Sequence, residues 1–519
     1  MTGRRDVLKA GLAVGSLFLP LPYAWVWAQS DGTIKLLKAP KVALVVGNGK
    51  YKDAPELKNA PNDARAIAET LKASGFAVTM LLDTGREALV NAIRDYVNGM
   101  EKQKAVGLFY FAGHGVQLEW RNYMLPIDAV IDKLEDVGKQ SVDVARLMEG
   151  LAKASNPMNV IILDACREDP FGSAKKPAQK GLSQMDAPTQ TILAYATSPG
   201  NVASDGDGAN GLYTENLLRE MKVPEAKIED VFKRVRLGVR RSSKGAQIPW
   251  ESTSLEEDFW FLPPKELKKL SDAEKERIFK EELALWERIK ESKESGPLEE
   301  YLRRYPSGEF SQLAQAVLNG VLAREGEKKI QIASSEGNPY TKGSAEFNTN
   351  RKVGEIYTTR ITDIFTKIVR QPPASTVTRV TESQVFYDNG TITDLLGNVQ
   401  RFADGRQSSG GQNVPIEFAV GKHWVSRSVT TGRDGQKFDV EIEFRVAARE
   451  SITVPIGTFN AFRIDGRGTA LASRFTVEIN NKQWWVPDRF AVAVAREDRR
   501  RWPSGGVADL YELVSYTRP

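Results

Sequence analysis

The chain has 519 residues and a mass of 57.6 kDa, which is too long for a single hydrophobic core and indicates two or three domains. Charged residues make up 27% and hydrophobic residues 41%, the proportions of an ordinary globular protein. The net charge of +5 is spread along the whole length, without a Lys/Arg run long enough to indicate nucleic-acid binding.

Residues 1–28 are predicted to be a twin-arginine (Tat) signal peptide. Arg4 and Arg5 precede the apolar stretch from Ala10 to Pro20, and Ala28 offers a small residue for cleavage. The alternative is an uncleaved anchor, but the apolar stretch is shorter than the ~20 residues of a spanning helix. We therefore expect a mature chain released to the periplasm, with no stable membrane insertion after processing.

Residues 40–262 are predicted to form an α/β domain, because apolar runs alternate there with amphipathic segments. The predicted elements are strands at 41–47, 76–83, 106–112 and 159–166, helices at 62–74, 84–100 and 142–154, and a polar hairpin at 117–124. Strands that alternate with helices imply right-handed crossovers and a mostly parallel sheet flanked by helices.

Two of these strands end in residues that suit nucleophilic catalysis. The run from Val106 leads into Gly113-His114-Gly115, and the run from Asn159 ends at Cys166, the only cysteine of the chain. Ligands of parallel sheets bind beyond the carboxyl ends of the strands, so the thiol and the imidazole are expected to meet in one crevice. An unpaired thiol is a chemical liability in an oxidising compartment, which favours a functional role over a small buried core residue.

The rest of the chain is predicted to form a linker, a helical connector and a β-rich domain. The polar stretch from Phe171 to Gln184 contains Lys175, Lys176 and Lys180 and is typical of a cleavable linker. Residues 263–331 are charged and helical, with a capping box at Ser271–Glu274, and Pro297 and the turn at 305–308 divide them into two or three short helices.

From 336 to 519, short alternating strands predict an antiparallel β domain with a hairpin turn at 433–435. His423 is interpreted there as a lone core or surface histidine. The basic cluster of Arg496 and Arg499–Arg501, next to Trp502, is interpreted as the solvated face of a hairpin.

The α/β region resembles the caspase–metacaspase superfamily, and its bacterial members in particular. His114 lies about 50 positions before the Ala165-Cys166-Arg167 core, the separation typical of caspases. The other motifs that carry the resemblance are Asn62-Asp63-Ala64, Ile192-Leu-Ala-Tyr-Ala-Thr-Ser-Pro-Gly, Gly211-Leu-Tyr-Thr and Gln247-Ile-Pro-Trp. The resemblance implies a caspase-like fold, a cysteine peptidase activity and a linker between large and small subunit halves at 171–184.

The resemblance also implies roles for particular residues. His114 would act as the base for the Cys166 thiol, and the backbone N–H groups of Gly115 and Cys166 would bind the oxyanion. In metacaspases and paracaspases an acidic pair forms the S1 pocket, and the matching positions are Asp63 and Asp164. Two carboxylates favour Lys or Arg at P1. The alternatives are a helix N-terminal charge for Asp63 and a strand-end turn for Asp164.

No cofactor or metal site is predicted. Two distant histidines and one cysteine do not make a tetrahedral zinc site, and the acidic set that binds calcium in some metacaspases is not recognisable. Asp205 and Asp207 lie in a glycine-rich loop and are interpreted as turn residues. Ala112 stands where metacaspases often carry serine, so one hydrogen bond of the pocket is expected to be missing.

The sequence therefore predicts a periplasmic cysteine endopeptidase that cleaves proteins or peptides after Lys or Arg. Two alternatives stay open. One is a catalytically idle caspase-like scaffold that binds a partner or envelope component, and the other is a His/Cys peptidase that prefers Asp or Asn at P1. The sequence does not indicate an oligomeric state.

Overall fold

The protein is described from a computed structural model, in which every residue carries its side chain. The residues described are 32–166, 181–203, 206, 208–267, 270–328, 330, 332–472 and 475–519. The predicted signal peptide at 1–28, the lysines of the predicted linker, and Asp205 and Asp207 lie outside these residues. In the described part of the chain, no helix is both long and apolar enough to cross a membrane.

A mostly parallel sheet forms the centre of the first half of the chain. Its strands are β1 (Lys41–Gly47), β2 (Ala77–Leu82), β3 (Val106–Leu118), β4 (Arg121–Met124), β5 (Val142–Asp143), β6 (Met158–Cys166), β7 (Thr191–Tyr195) and β8 (Trp250–Thr253). The strand order is β2-β1-β3-β6-β7-β8, and only β8 runs antiparallel along this path. The strands β3 and β6 are central, and residues 106–117 and 158–165 are buried, which explains their continuous apolar sequences.

Helices cover both faces of this sheet. They are α1 (Ala60–Ala73), α2 (Arg86–Gln103), α3 (Leu134–Gln140), α4 (Val144–Ala154), α5 (Leu212–Met221) and α6 (Ile228–Ser242). The helix α2 packs against α4, whereas α5 packs against α1 and α6. The apolar stripe predicted for α2 is buried at Leu89, Ile93, Tyr96 and Met100. This part of the structure confirms the predicted fold class, a caspase-like sheet flanked by helices.

Three helices follow the first sheet. They are α7 (Asp272–Ile289), α8 (Ser295–Arg304) and α9 (Ser311–Arg324). The predicted capping box is present, because Ser271 and Glu274 exchange hydrogen bonds with each other's backbone N–H groups. Trp286 of α7 stacks on Phe310 with ring centroids 5.8 Å apart, which ties the helices together. Pro297 was expected to separate helices, but it lies in the first turn of α8, where a missing N–H leaves no hydrogen bond unmade.

An antiparallel sheet forms the C-terminal part. Its strands are β10 (Ile356–Asp363), β11 (Val369–Arg370), β12 (Ser375–Val380), β13 (Gln384–Tyr387), β14 (Ile392–Asp394), β15 (Val399–Arg401), β16 (Gln407–Ser408), β18 (His423–Thr431), β19 (Lys437–Val454), β20 (Gly457–Leu471), β21 (Thr476–Trp485), β22 (Ala495–Trp502) and β23 (Gly505–Thr517). The order of pairing is β11-β10-β12-β13-β14-β15-β16-β18-β19-β20-β21-β22-β23. The strand β23 also pairs with β10, so the sheet closes on itself. Two further short strands, β9 (Ser344–Glu346) and β17 (Glu417–Ala419), pair with each other.

The helices α7–α9 share one hydrophobic core with the second sheet. Trp286, Leu298 and Leu318 belong to the same buried cluster as Phe444 and Trp485. The helical and antiparallel parts therefore confirm the predicted classes, an all-α connector followed by an antiparallel β region. The exact boundaries at 262, 331 and 336 remain predictions.

Candidate active site

The sheet places His114 and Cys166 on adjacent strands. Cys166 is the register partner of Gly115, the residue that follows His114, and Asp164 is the partner of Ala112. Between these two pairs, Gly113 and His114 on β3 stand opposite a single residue of β6. This is a β-bulge, which redirects side chains near the end of a strand. The two residues that were predicted to meet across a crevice are thus neighbours at the carboxyl ends of β3 and β6.

Tyr51 and Pro55 fix the backbone and the ring of His114. The Tyr51 hydroxyl accepts a hydrogen bond from the His114 backbone N–H at 2.8 Å, and its ring lies 4.7 Å from the imidazole between centroids. The Nε2 atom of His114 donates to the backbone carbonyl of Pro55 at 2.8 Å. A carbonyl only accepts, so the hydrogen of a neutral imidazole is on Nε2 and the lone pair is on Nδ1. The ring is therefore held in the tautomer in which Nδ1 is the basic nitrogen.

Sequence reasoning missed both of these contacts. The stretch from Asn48 to Asn59 is mostly irregular, and neither a tyrosine hydroxyl nor a backbone carbonyl in such a loop leaves a pattern in the sequence. The third participant beside the imidazole is a main-chain atom, so no search for an acidic side chain could have found it. The structure therefore adds an orienting main-chain carbonyl to the histidine of the predicted pair.

Gly115 is required by close packing between the two strands. A Cβ atom added to it would lie 2.6 Å from the Ala165 carbonyl oxygen and 2.9 Å from the Ala165 Cβ. Contacts this short do not occur in proteins, so only glycine allows β3 and β6 to approach at the bulge. The close approach keeps the two backbones that carry the predicted oxyanion donors side by side.

Asp63 lies in the first turn of α1 and is fully buried. Its Oδ1 atom accepts hydrogen bonds from the Asn210 side chain and from the Gly211 backbone N–H, both at 2.9 Å. These contacts tie the first turn of α1 to the loop that precedes α5. The position fits both readings of Asp63, a carboxylate at a helix N-terminus and a carboxylate facing the site.

Asp164 is also fully buried and lies within the β3–β6 ladder rather than in a turn. Its Oδ2 atom accepts a hydrogen bond from the Thr214 hydroxyl at 2.9 Å and a longer one from the Tyr110 hydroxyl at 3.5 Å. The Tyr110 and Thr214 hydroxyls are 2.6 Å apart. Burial, followed by the charges of Asp164 and Asp63, raises the pKa of Tyr110 well above its ordinary value. The charges of both carboxylates thus raise the pKa of the same hydroxyl, so Asp63 and Asp164 lie in one region beneath the carboxyl end of β6.

Metal ligands do not gather at this site in the described residues, where no group of three or more His, Cys, Asp or Glu side chains could hold an ion. The arrangement offers an oriented imidazole, a cysteine backbone beside it and two buried carboxylates. These groups suit acyl transfer through sulfur.

Comparison with known proteins assigns the class. Residues 40–260 match the family model of the caspase domain, Peptidase C14. The match supports a caspase-like domain in this part of the chain, and caspase-domain proteins as a family are cysteine peptidases.

Two curated relatives match the same part of the chain. They are the human mucosa-associated lymphoid tissue lymphoma translocation protein 1 and its mouse homologue, each 26% identical to this chain over 234 residues. The match covers 44% of this chain and 27% of each relative, so the similarity is confined to one domain.

Proposed function

We propose that the protein is a cysteine endopeptidase in which His114 and Cys166 hydrolyse peptide bonds. The observation that carries the proposal is the register between Gly115 and Cys166, with His114 in the bulge beside them. The Pro55 carbonyl supports it, because it accepts the Nε2 hydrogen of a neutral imidazole and so assigns the role of base to Nδ1.

The reaction follows from these positions. His114 Nδ1 takes the thiol proton of Cys166, and the thiolate attacks the scissile carbonyl carbon. The backbone N–H groups of Gly115 and Cys166 stabilise the oxyanion of the tetrahedral intermediate. The imidazolium returns the proton to the leaving amine, and a thioester remains on Cys166. Water, deprotonated by His114, then attacks the thioester and releases the carboxylic acid product, which regenerates the thiol.

The proposed preference for Lys or Arg at P1 rests on the two buried carboxylates. Asp63 accepts hydrogen bonds from Asn210 and Gly211, and Asp164 accepts one from Thr214, so both carboxylates are oriented within the fold. A guanidinium or ammonium group that enters this region would supply the positive charge. The periplasmic location rests on the predicted signal peptide at 1–28 and stays a prediction.

Peptide hydrolysis by wild type and by Cys166→Ala tests the proposal. Wild type is expected to release a fluorophore from Arg- and Lys-terminated peptides, and Cys166→Ala is expected to have no activity above background. Equal, negligible turnover in both proteins would favour an idle scaffold. Cleavage after Asp or Asn but not after Arg would support peptidase activity but contradict the assignment of Asp63 and Asp164 to the S1 pocket. Asp164→Asn is the matched variant, because it keeps the shape and removes the charge that attracts a basic P1 residue.

A further inference from the structure

Four connections between neighbouring strands lie at one end of the antiparallel sheet. Their described residues are 363–370, 431–437, 471–472 with 475–478, and 499–507. The strand register brings them together. The strands β19 and β21 both pair with β20 near Leu471, and the end of β22 pairs with the beginning of β21. The end of β10 pairs with residues near the beginning of β23. We refer to these four segments as the hairpin end.

The hairpin end exposes large apolar side chains. Phe365, Ile368 and Val369 expose 71%, 60% and 57% of their surface. Leu471 and Val507, on neighbouring turns, are also exposed. Scattered single apolar residues are normal on a protein surface, but a cluster on adjacent turns marks a contact surface. These side chains contribute nothing to the core, so folding does not account for them.

The turn that carries Phe365 is held rigidly. The Oδ1 atom of Asp363 accepts hydrogen bonds from the backbone N–H groups of Phe365 at 2.9 Å and Thr366 at 2.8 Å. The Asp363 N–H donates to the Ile368 carbonyl at 2.9 Å, and the Ile364 N–H donates to the Ala508 carbonyl at 2.8 Å. The exposed aromatic ring is therefore presented by an ordered turn that is fastened to β23, and little conformational entropy remains to be lost on docking.

Cations surround the apolar side chains. Across the described residues of the hairpin end there are seven lysines and arginines against three carboxylates. A cleft of about 640 Å³ separates the Phe365 turn from the ends of β20–β23, and its lining includes Trp502, Arg499, Arg500 and Arg501. Carboxylates are also present, and Glu478 lines the cleft. Three of the arginines form ion pairs: Arg499 with Glu497, Arg500 with Asp498, and Arg370 with Asp509.

We propose that the hairpin end docks the protein on an anionic phospholipid surface. Apolar side chains at the tips of turns would enter the boundary between headgroups and acyl chains, and the surrounding cations would meet the headgroup phosphates. Trp502, beside the arginines, has the amphipathic ring that is enriched at this depth. A bilayer is a flat surface, so it can contact several turns at one end of a sheet at the same time. A bound peptide would instead need a groove or a free strand edge. The surface is independent of the proposed peptidase site.

Vesicle sedimentation of the full chain tests the proposal. Wild type is expected to bind vesicles of equal parts phosphatidylcholine and phosphatidylglycerol at least about tenfold more tightly than pure phosphatidylcholine vesicles, and added salt is expected to reduce the difference. The paired substitution Phe365→Ser and Ile368→Ser is expected to weaken binding about tenfold or more. Val353→Ser with Val425→Ser is the matched control and is expected to bind as wild type. Both valines are exposed, and they lie in the turn before β10 and in β18, away from the hairpin end.

Charge and fold are controlled separately. Arg499→Gln with Arg501→Gln is expected to remove most of the preference for anionic vesicles, about fivefold for each arginine. Lys72→Gln with Lys102→Gln, on exposed positions of α1 and α2, removes the same charge and is expected to leave binding unchanged. Circular dichroism and thermal unfolding of each variant show whether the fold is intact.

Three outcomes would overturn the proposal. In the first, wild type binds neither type of vesicle. In the second, it binds both types with equal affinity. In the third, the Phe365→Ser and Ile368→Ser variant binds as tightly as wild type while its fold is intact. Sedimentation velocity tests whether a second copy of this chain binds the hairpin end instead. If wild type is a dimer and the Phe365→Ser and Ile368→Ser variant is a monomer, the hairpin end is a dimer interface and the lipid proposal is rejected.

Discussion

Thr214→Val offers a direct test of the proposed S1 pocket. The Thr214 hydroxyl donates to Asp164 Oδ2 at 2.9 Å, and valine keeps the shape of the side chain while removing the donor. A hydrogen bond to a charged group contributes about 1.5–3 kcal/mol, which corresponds to a fall in kcat/KM between about tenfold and about 150-fold. The Tyr110 hydroxyl, 3.5 Å from the same oxygen, can move closer and replace part of the interaction. We therefore expect a fall of about tenfold for basic P1 residues.

The assay compares peptides that differ only at P1. For Thr214→Val, kcat/KM is expected to fall for Arg- and Lys-terminated peptides, chiefly through KM, because Asp164 binds the substrate and does not take part in bond breaking. Thr214→Ser keeps a hydroxyl at this position and is expected to retain most of the activity. An equal fall for every P1 residue would show that Thr214 supports the fold rather than the pocket, and an unchanged kcat/KM would refute the role of Asp164.

Two further predictions concern His114 and the connector. Tyr51→Phe keeps the ring contact but leaves the buried His114 N–H without its acceptor, so we expect kcat to fall about tenfold and the free energy of unfolding to fall by about 1–3 kcal/mol, measured by kinetics and urea unfolding. Burial raises the pKa of Glu309 from 4.5 to about 7, so the folded state binds more protons than the unfolded state between these values. The free energy of unfolding is therefore expected to fall as pH rises through this window, and Glu309→Gln should remove up to about 3 kcal/mol of that fall in urea titrations at several pH values.

The central strands, with His114 and Cys166 near their carboxyl ends, could be predicted from the sequence because burial on both faces demands continuous apolar runs. The runs that end at His114 and Cys166 are of this kind, and the parallel order of the sheet brings their carboxyl ends together. The contacts of Tyr51 and Pro55 could not be predicted, since they belong to an irregular loop whose path depends on the whole fold.

The second sheet was predicted less completely, for a related reason. The alternation at 440–446 identifies a strand, but β19 extends from Lys437 to Val454 because neighbouring strands on both sides pair with residues outside the clear pattern. The pairing of β10 with β23, which closes the sheet, joins segments far apart in the sequence, so no local sequence pattern predicts it. The helix α3 was missed because only Val137 of its residues is buried, which leaves too little periodicity to identify.

The segment that follows the connector joins the two halves of the protein into one unit. Its Asn338 side chain donates to the Gln184 carbonyl at 2.8 Å, the Asp186 N–H donates to the Tyr340 carbonyl at 3.1 Å, and Tyr340 packs against the core of the first sheet. Gln184 is the last residue of the predicted linker and Asp186 follows it, and β6 and β7, on either side of that linker, are paired in one sheet. A cut between these strands would therefore leave both pieces held by the sheet and by this segment. Removing the C-terminal part would instead uncover the apolar contacts of Tyr340, so the peptidase half is a poor substitute for the full chain in any measurement of activity.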